Sequence, residues 1–177
     1  PALQAADLAV GHLEVPHSAR GTELEGDVPA PGAPPENVAA IAGAGFHLLS
    51  LAGNHIADCG AEGIADTLAL MKAAALEGAG AGLSLAEARR PVVAQRGGWK
   101  IGLLSYNCVG PENAWAGDAR AGCAYLRIET ADGSAIAPAA PLERVTAEAI
   151  AMLQADIAAL RTRADFVMVA LHKGIVH

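Results

Sequence analysis

The stretch Leu48-Leu49-Ser50-Leu51-Ala52-Gly53-Asn54-His55 decides the reading of this chain: an apolar run of strand length stops abruptly at a glycine, an amide and an imidazole. In layered α/β proteins, strand tips are where polar groups project into a cleft, and adjacent amide and imidazole groups can divide metal binding from proton transfer. An Asn-His pair after a strand also suits a plain turn, because Asn tolerates left-handed dihedrals and bonds its own backbone. A second run, Asp165-Phe166-Val167-Met168-Val169-Ala170-Leu171-His172, repeats the pattern. A third, Asp7-Leu8-Ala9-Val10-Gly11-His12-Leu13-Glu14, delivers another imidazole and a carboxylate. Taken as neighbouring parallel strands of one sheet, the three runs bring these groups to a common edge.

Outward from these runs, helix and strand signals alternate. Pro34-Pro35 opens a short helix through Ala42, closed by Gly43 and Gly45, and a strand follows from about Phe46 to Ala52. Asp58 is placed to cap a helix from Gly60 to Glu77, with Ile64, Leu68, Met71 and Ala75 on one face and Gly78 ending it. Ser84-Leu85-Ala86-Glu87 has the spacing of a capping box before Pro91. Segments 91–95 and 100–106 read as a hairpin through Gly97-Gly98. A second long helix spans about Glu143 to Arg161, with Ile150, Leu153, Ile157 and Leu160 along one face, and feeds the last strand. Two segments carry no period: His17 to Pro35, read as a surface loop, and Asn107 to Pro141, read as an insertion or lid. The alternation predicts an α/β layered domain with a largely parallel sheet, residues 1–177 forming a single unit.

Composition bounds the chemistry. The chain has 177 residues, 53% of them hydrophobic and 18% charged, which suffices for a packed core. A formal charge of -7 offers no basic face to nucleic acid or an anionic membrane. An acidic protein still binds anionic substrates where a metal ion supplies the positive charge. Three widely spaced cysteines, Cys59, Cys108 and Cys123, make neither a disulfide framework nor a zinc knuckle, which favours a reducing, cytoplasmic setting. No apolar stretch reaches the roughly 20 residues of a membrane span. Pro1-Ala2-Leu3-Gln4 has no signal-peptide character, and a segment upstream of Pro1 would leave membrane association or export open. No phosphate-binding glycine loop and no nucleophile elbow is present. Nothing in the sequence selects an oligomeric state.

Residue by residue, Glu14 at a strand end is expected to be exposed, paired or metal-bound, since an unpaired buried carboxylate is costly. His12, two residues earlier on the same strand face, is either a further polar group of the site, facing substrate, or a core histidine bonded to backbone. His172 suits a neutral-imidazole ligand, and Asn54 and Glu14 add oxygen donors. Lys173 is a solvated cation or a contact to an anionic substrate. His17 and His177 read as surface residues and His47 as structural.

These segments together resemble the bacterial poly-γ-glutamate capsule-synthesis (CapA-like) family, a branch of the calcineurin-like metallophosphoesterase superfamily. Ser50-Leu51-Ala52-Gly53-Asn54-His55-Ile56-Ala57-Asp58-Cys59-Gly60 is close to that family's Ser-Leu-Ala-Asn-Asn-His-x-x-Asp-x-Gly. His12-Leu13-Glu14 stands where the family usually has Asn-Leu-Glu, and His172-Lys173-Gly174 where it usually has His-Trp-Gly. Gly80-Ala81-Gly82 with the stretch from Ala86 to Pro91 adds a weaker match. The resemblance implies a four-layered α/β/β/α sandwich, of which this chain holds a large part. It also implies two divalent metal ions (manganese, iron or zinc), with Glu14, Asn54 and His172 as ligands and His55 as the proton donor. The implied chemistry is metal-dependent hydrolysis of a phosphoester in a small-molecule or polymer substrate, or alternatively a non-catalytic place in a capsule or polymer-export assembly. The family's opening Gly-Asp strand would precede Pro1 and its Gly-His-x-His segment would follow His177. The expectation is therefore a domain truncated at both ends that supplies only part of a two-metal site.

Overall fold

The computed structural model describes residues 2–24, 32–134 and 142–173. In chain order, β1 (Val10–His12) leads to α1 (Asn37–Ala44), β2 (Leu48–Ser50), α2 (Gly60–Ala73), β3 (Glu77–Ala79) and β4 (Ala81–Gly82). Then follow α3 (Leu85–Ala88), β5 (Val92–Arg96), β6 (Trp99–Asn107), β7 (Gly122–Cys123), β8 (Ile128–Thr130), β9 (Leu142–Val145), α4 (Ala147–Arg161) and β10 (Phe166–His172). The expected α/β alternation is present. Besides the separate two-stranded pairs β4-β7 and β8-β9, however, the strands form two three-stranded sheets where the sequence pointed to one. The first is all parallel in the order β1-β2-β3; in the second, β10 runs parallel and β5 antiparallel to the central β6. The run ending at His172 therefore pairs with β6 and is not a neighbour of β1 or β2.

Strand alternation explains how the sheets are covered. On β2, Leu48 packs with Ala79, Ala94 and Leu103, a cluster drawn from both sheets, while Leu49 packs among Met71 and Leu76 at the α2 side. On β6, Leu103 joins the cluster shared between sheets and Leu104 joins Leu160 of α4 on the other face. At Gly102 α4 packs closely on β6, since a Cβ there would lie 2.7 Å from Leu160. Asp156 of α4 accepts a two-pronged hydrogen bond from Arg89 and one from the Tyr106 hydroxyl at 2.6 Å, tying helix to sheet through a half-buried network.

Several local expectations are met. Gly97 and Gly98 turn the β5–β6 hairpin at φ of 54° and 87°, and Ser84 Oγ caps α3 by accepting from Glu87 N. Others change for identifiable reasons. Helix α2 ends at Ala73, because Ala75 adopts φ 56° and the chain turns directly into β3, so Gly78 is a strand residue. Asp58 is not the N-cap of α2, a place taken by Cys59; its carboxylate pairs with His55, three residues earlier. Helix α4 starts at the Thr146 cap, since residues 142–145 pair with β8, and Ile150 points outward while Ala149 and Leu160 are buried. The segment from Asn107 through Thr130 is no lid: Trp115 and Cys123 sit in the main core, and Trp115 stacks on Tyr125 at 4.3 Å. Residues 135–141, the rest of that segment, lie outside the described residues, as do residues 25–31 of the first loop, Gly174 and His177. Among the described residues, no helix is long and apolar enough to cross a membrane.

Candidate metal centre

Register and pleat deliver the site. His12 lies opposite Ser50 in the β1–β2 pair, and His172 lies opposite Asn107 in the β10–β6 pair. On β2 the pleat puts Ser50 on the same face as Leu48, and on β10 it puts His172 on the same face as Met168 and Ala170, whose partners lie between the sheets. The carboxyl ends of both sheets thus open onto one cleft, with Glu14 and Asn54 on the loops just beyond.

Four predicted residues meet there. His172 Nε2 lies 2.9 Å from Asn54 Oδ1 and 3.8 Å from Glu14 Oε1, and the His12 and His172 rings stack with centroids 5.0 Å apart. One ligand atom from each of His12, Glu14 and His172 falls within a single 4.8 Å set. Burial pushes the His172 pKa below the ordinary histidine value, and the nearby His12 and His55 rings push the same way against the opposing pull of Glu14. His172 is therefore neutral at pH 7, the form that donates a lone pair to a cation.

The donor set fits a divalent ion. Metal–nitrogen and metal–oxygen bonds of about 2.0–2.2 Å place ligand atoms roughly 3–4 Å apart around one centre. The 2.9 and 3.8 Å separations already lie near that range, and Glu14 and His12 are exposed enough to close the remainder. An imidazole with carboxylate and amide oxygens suits zinc or iron, and its oxygens also suit manganese.

His55 belongs to the same cleft but is held differently. Its Nδ1 donates to Asp58 Oδ2 at 2.8 Å, and Asp58 is only 2% exposed. Lys173 is exposed. Burial raises the pKa of all three cysteines, Cys123 to about 12, so none is a reactive thiolate. His47 is structural as expected, its Nδ1 accepting from Ala9 N. The surface reading of His17 is overturned, since it is 5% exposed.

Three residues of the site have no assigned role in it from sequence alone, although Ser50 and Asp58 lie in the motif that carries the resemblance. Asp58 was spent on a helix cap. Ser50 and Ser105 are buried within apolar strands, and their hydroxyls meet at 3.0 Å across the two sheets. A serine inside a Leu-Leu-Ser run was the available signal.

Residues 1–176 match the family described as bacterial capsule synthesis protein PGA_cap. A probable polyglutamine synthesis accessory protein of Mycobacterium tuberculosis is 34% identical over 85 residues, 46% of this chain and 22% of the relative. The capsule biosynthesis protein CapA of Bacillus anthracis is 37% identical over 71 residues, 40% of this chain and 17% of the relative. The matched stretch thus spans about a fifth of the length of these curated relatives. With the match running through every strand that builds the cleft, the chain belongs to the bacterial capsule synthesis protein PGA_cap family.

Proposed function

We propose that this chain carries the metal centre of a metal-dependent hydrolase with phosphoesterase-like chemistry that acts in capsule polymer synthesis. The observation that carries the reading is the convergence of His172 Nε2, Asn54 Oδ1 and Glu14 Oε1 from loops and strands of two different sheets. The family description and the relatives' names, capsule biosynthesis and polyglutamine synthesis, support the biological setting. Helices α1 and α2 against one sheet, α4 against the other and an apolar cluster shared between the sheets support reading the fold as part of a four-layered α/β/β/α sandwich.

Glu14, Asn54 and His172 would hold the first of two divalent ions. Such an ion supplies Lewis acidity and positive charge toward a phosphoester oxygen. His55 has the acid role. A carboxylate only accepts hydrogen bonds, so Asp58 fixes Nδ1 as an N–H, and the acid role belongs to the imidazolium form, whose second proton, at Nε2, is the one transferred. Asp58 is a positioning residue that keeps the ring oriented. Lys173 enters as an exposed cation adjoining His172 in the chain, available to an anionic group of the substrate. A second reading, a non-catalytic component of the polymer-synthesis assembly, is favoured by the word "accessory" in the name of the mycobacterial relative.

The two readings separate in one experiment on the full-length protein supplied with manganese, iron or zinc. The enzyme reading expects His55→Ala to lower phosphoester turnover by about 10²- to 10⁴-fold with metal content unchanged. It expects Asn54→Ala to lower metal content. Loss of metal from His55→Ala would reverse the assigned roles, and absence of hydrolysis across a panel of phosphoesters and amides would leave the non-catalytic reading.

A further inference from the structure

We propose that His12 is itself a metal ligand through Nε2, prepared for that role by a Ser50–Ser105 relay between the sheets, and that the centre selects nitrogen-preferring divalent cations over magnesium. This rests on reading the cleft as a metal centre and changes the part that His12 plays in it, from substrate contact to ligand.

The other ring nitrogen of His12 is held by Ser50. His12 Nδ1 lies 3.0 Å from the backbone carbonyl oxygen of Ser50 and 3.1 Å from Ser50 Oγ. A carbonyl oxygen only accepts, so Nδ1 carries the hydrogen, and the neutral ring then has its lone pair at Nε2. Histidine ligands are commonly prepared this way, one nitrogen tied to a carbonyl so that the other is presented to the ion. Ser50 Oγ is in turn bonded to Ser105 Oγ at 3.0 Å, and Ser105 Oγ accepts the Ala52 amide at 3.2 Å. Both serines are at most 6% exposed, so the ring is oriented by buried polar groups and not by solvent.

Space and companions agree. Gly53 gives the ring room: a Cβ there would lie 3.2 Å from His12 Nε2. One ring nitrogen of His12 belongs with Glu14 and His172 to the 4.8 Å donor set, and with Nδ1 engaged at Ser50 that place falls to Nε2, beside one carboxylate and a second imidazole. Two imidazoles and a carboxylate are a borderline donor set, suited to zinc, cobalt(II) or iron(II), whereas magnesium keeps to oxygen ligands and water.

Cobalt(II) titration of the full-length protein, followed by calorimetry and by visible absorption, tests this. The wild type should bind cobalt and zinc measurably and magnesium far more weakly. His12→Ala and His12→Gln should each weaken cobalt by about tenfold or more and alter the absorption bands as a nitrogen ligand is lost. Ser105→Ala should weaken binding by roughly 10- to 100-fold, as removal of outer partners does, with Nε2 still coordinating. Nitrogen NMR of the metal-free chain should find the His12 proton on Nδ1, a readout independent of any variant. If both His12 variants keep wild-type affinity and spectrum while His172→Ala loses them, His12 is no ligand and the proposal falls with the metal-centre reading intact. If the wild type itself takes up no cobalt or zinc, the reading falls and takes the proposal with it.

Discussion

His17 lies in a stretch of glycine, proline and charge, yet only 5% of it is exposed. Its amide donates to Thr67 Oγ1 at 2.8 Å and its Nδ1 lies 3.3 Å from the Val15 carbonyl, but burial outweighs that bond and pushes its pKa below the ordinary histidine value. His172 is shifted in the same direction. Above the unfolded histidine pKa of about 6.5, folded and unfolded chains bind the same number of protons at these rings. Below it, the unfolded chain takes up protons that the folded chain refuses, so stability is full above about pH 6.5 and is lost as pH falls through the lowered folded values. Urea unfolding at about pH 5, 6 and 7.5 should therefore show a midpoint that drops on the acid side. His17→Gln should remove part of that slope, and an unchanged slope would assign all of it to other groups.

At the level of elements, Gly80 has no room for a side chain. It has φ 113° between β3 and β4, and a Cβ there would lie 2.6 Å from both the Ala52 amide nitrogen and Ser105 Oγ. Gly80→Ala should lower unfolding free energy by at least about 1 kcal/mol and disturb the serine pair, which denaturant unfolding and cobalt affinity would register together. Thr146 Oγ1 accepts from Ala149 N at 3.2 Å, so Thr146→Ala should cost about 1 kcal/mol through the lost cap of α4. What the sequence disclosed and withheld follows the range of the forces involved. The β5–β6 hairpin, the Ser84 cap and the apolar stripe of α2 are local and were readable from spacing. Strands β3 and β4, of three and two residues, are too short to carry a period and exist because neighbouring strands bond to them. The division into two sheets is a matter of pairing between segments far apart in the chain, which periodicity does not encode. The cluster itself was legible because Glu14, Asn54, His55 and His172 each terminate an apolar run. Asp58 misled because the residue type that caps helices also orients histidines.

At the scale of the whole molecule, the candidate centre joins the two sheets: His12 closes β1 in one and His172 closes β10 in the other. An ion held by both is bound only by the folded chain and stabilises it by mass action. Zinc or cobalt at about a hundred times its dissociation constant should raise unfolding free energy by about 2.7 kcal/mol. Glu14→Gln or His172→Ala should abolish most of that gain while leaving the metal-free stability close to wild type, as denaturation with and without chelator would show. The bond from His172 to Asn54 also joins residues 118 positions apart. Loop closure over such a distance comes late, so the last strand has to dock before the cation has anywhere to sit. The ion should therefore leave the refolding rate unchanged and slow the unfolding rate, lengthening the lifetime of a fold that has already formed without guiding its formation.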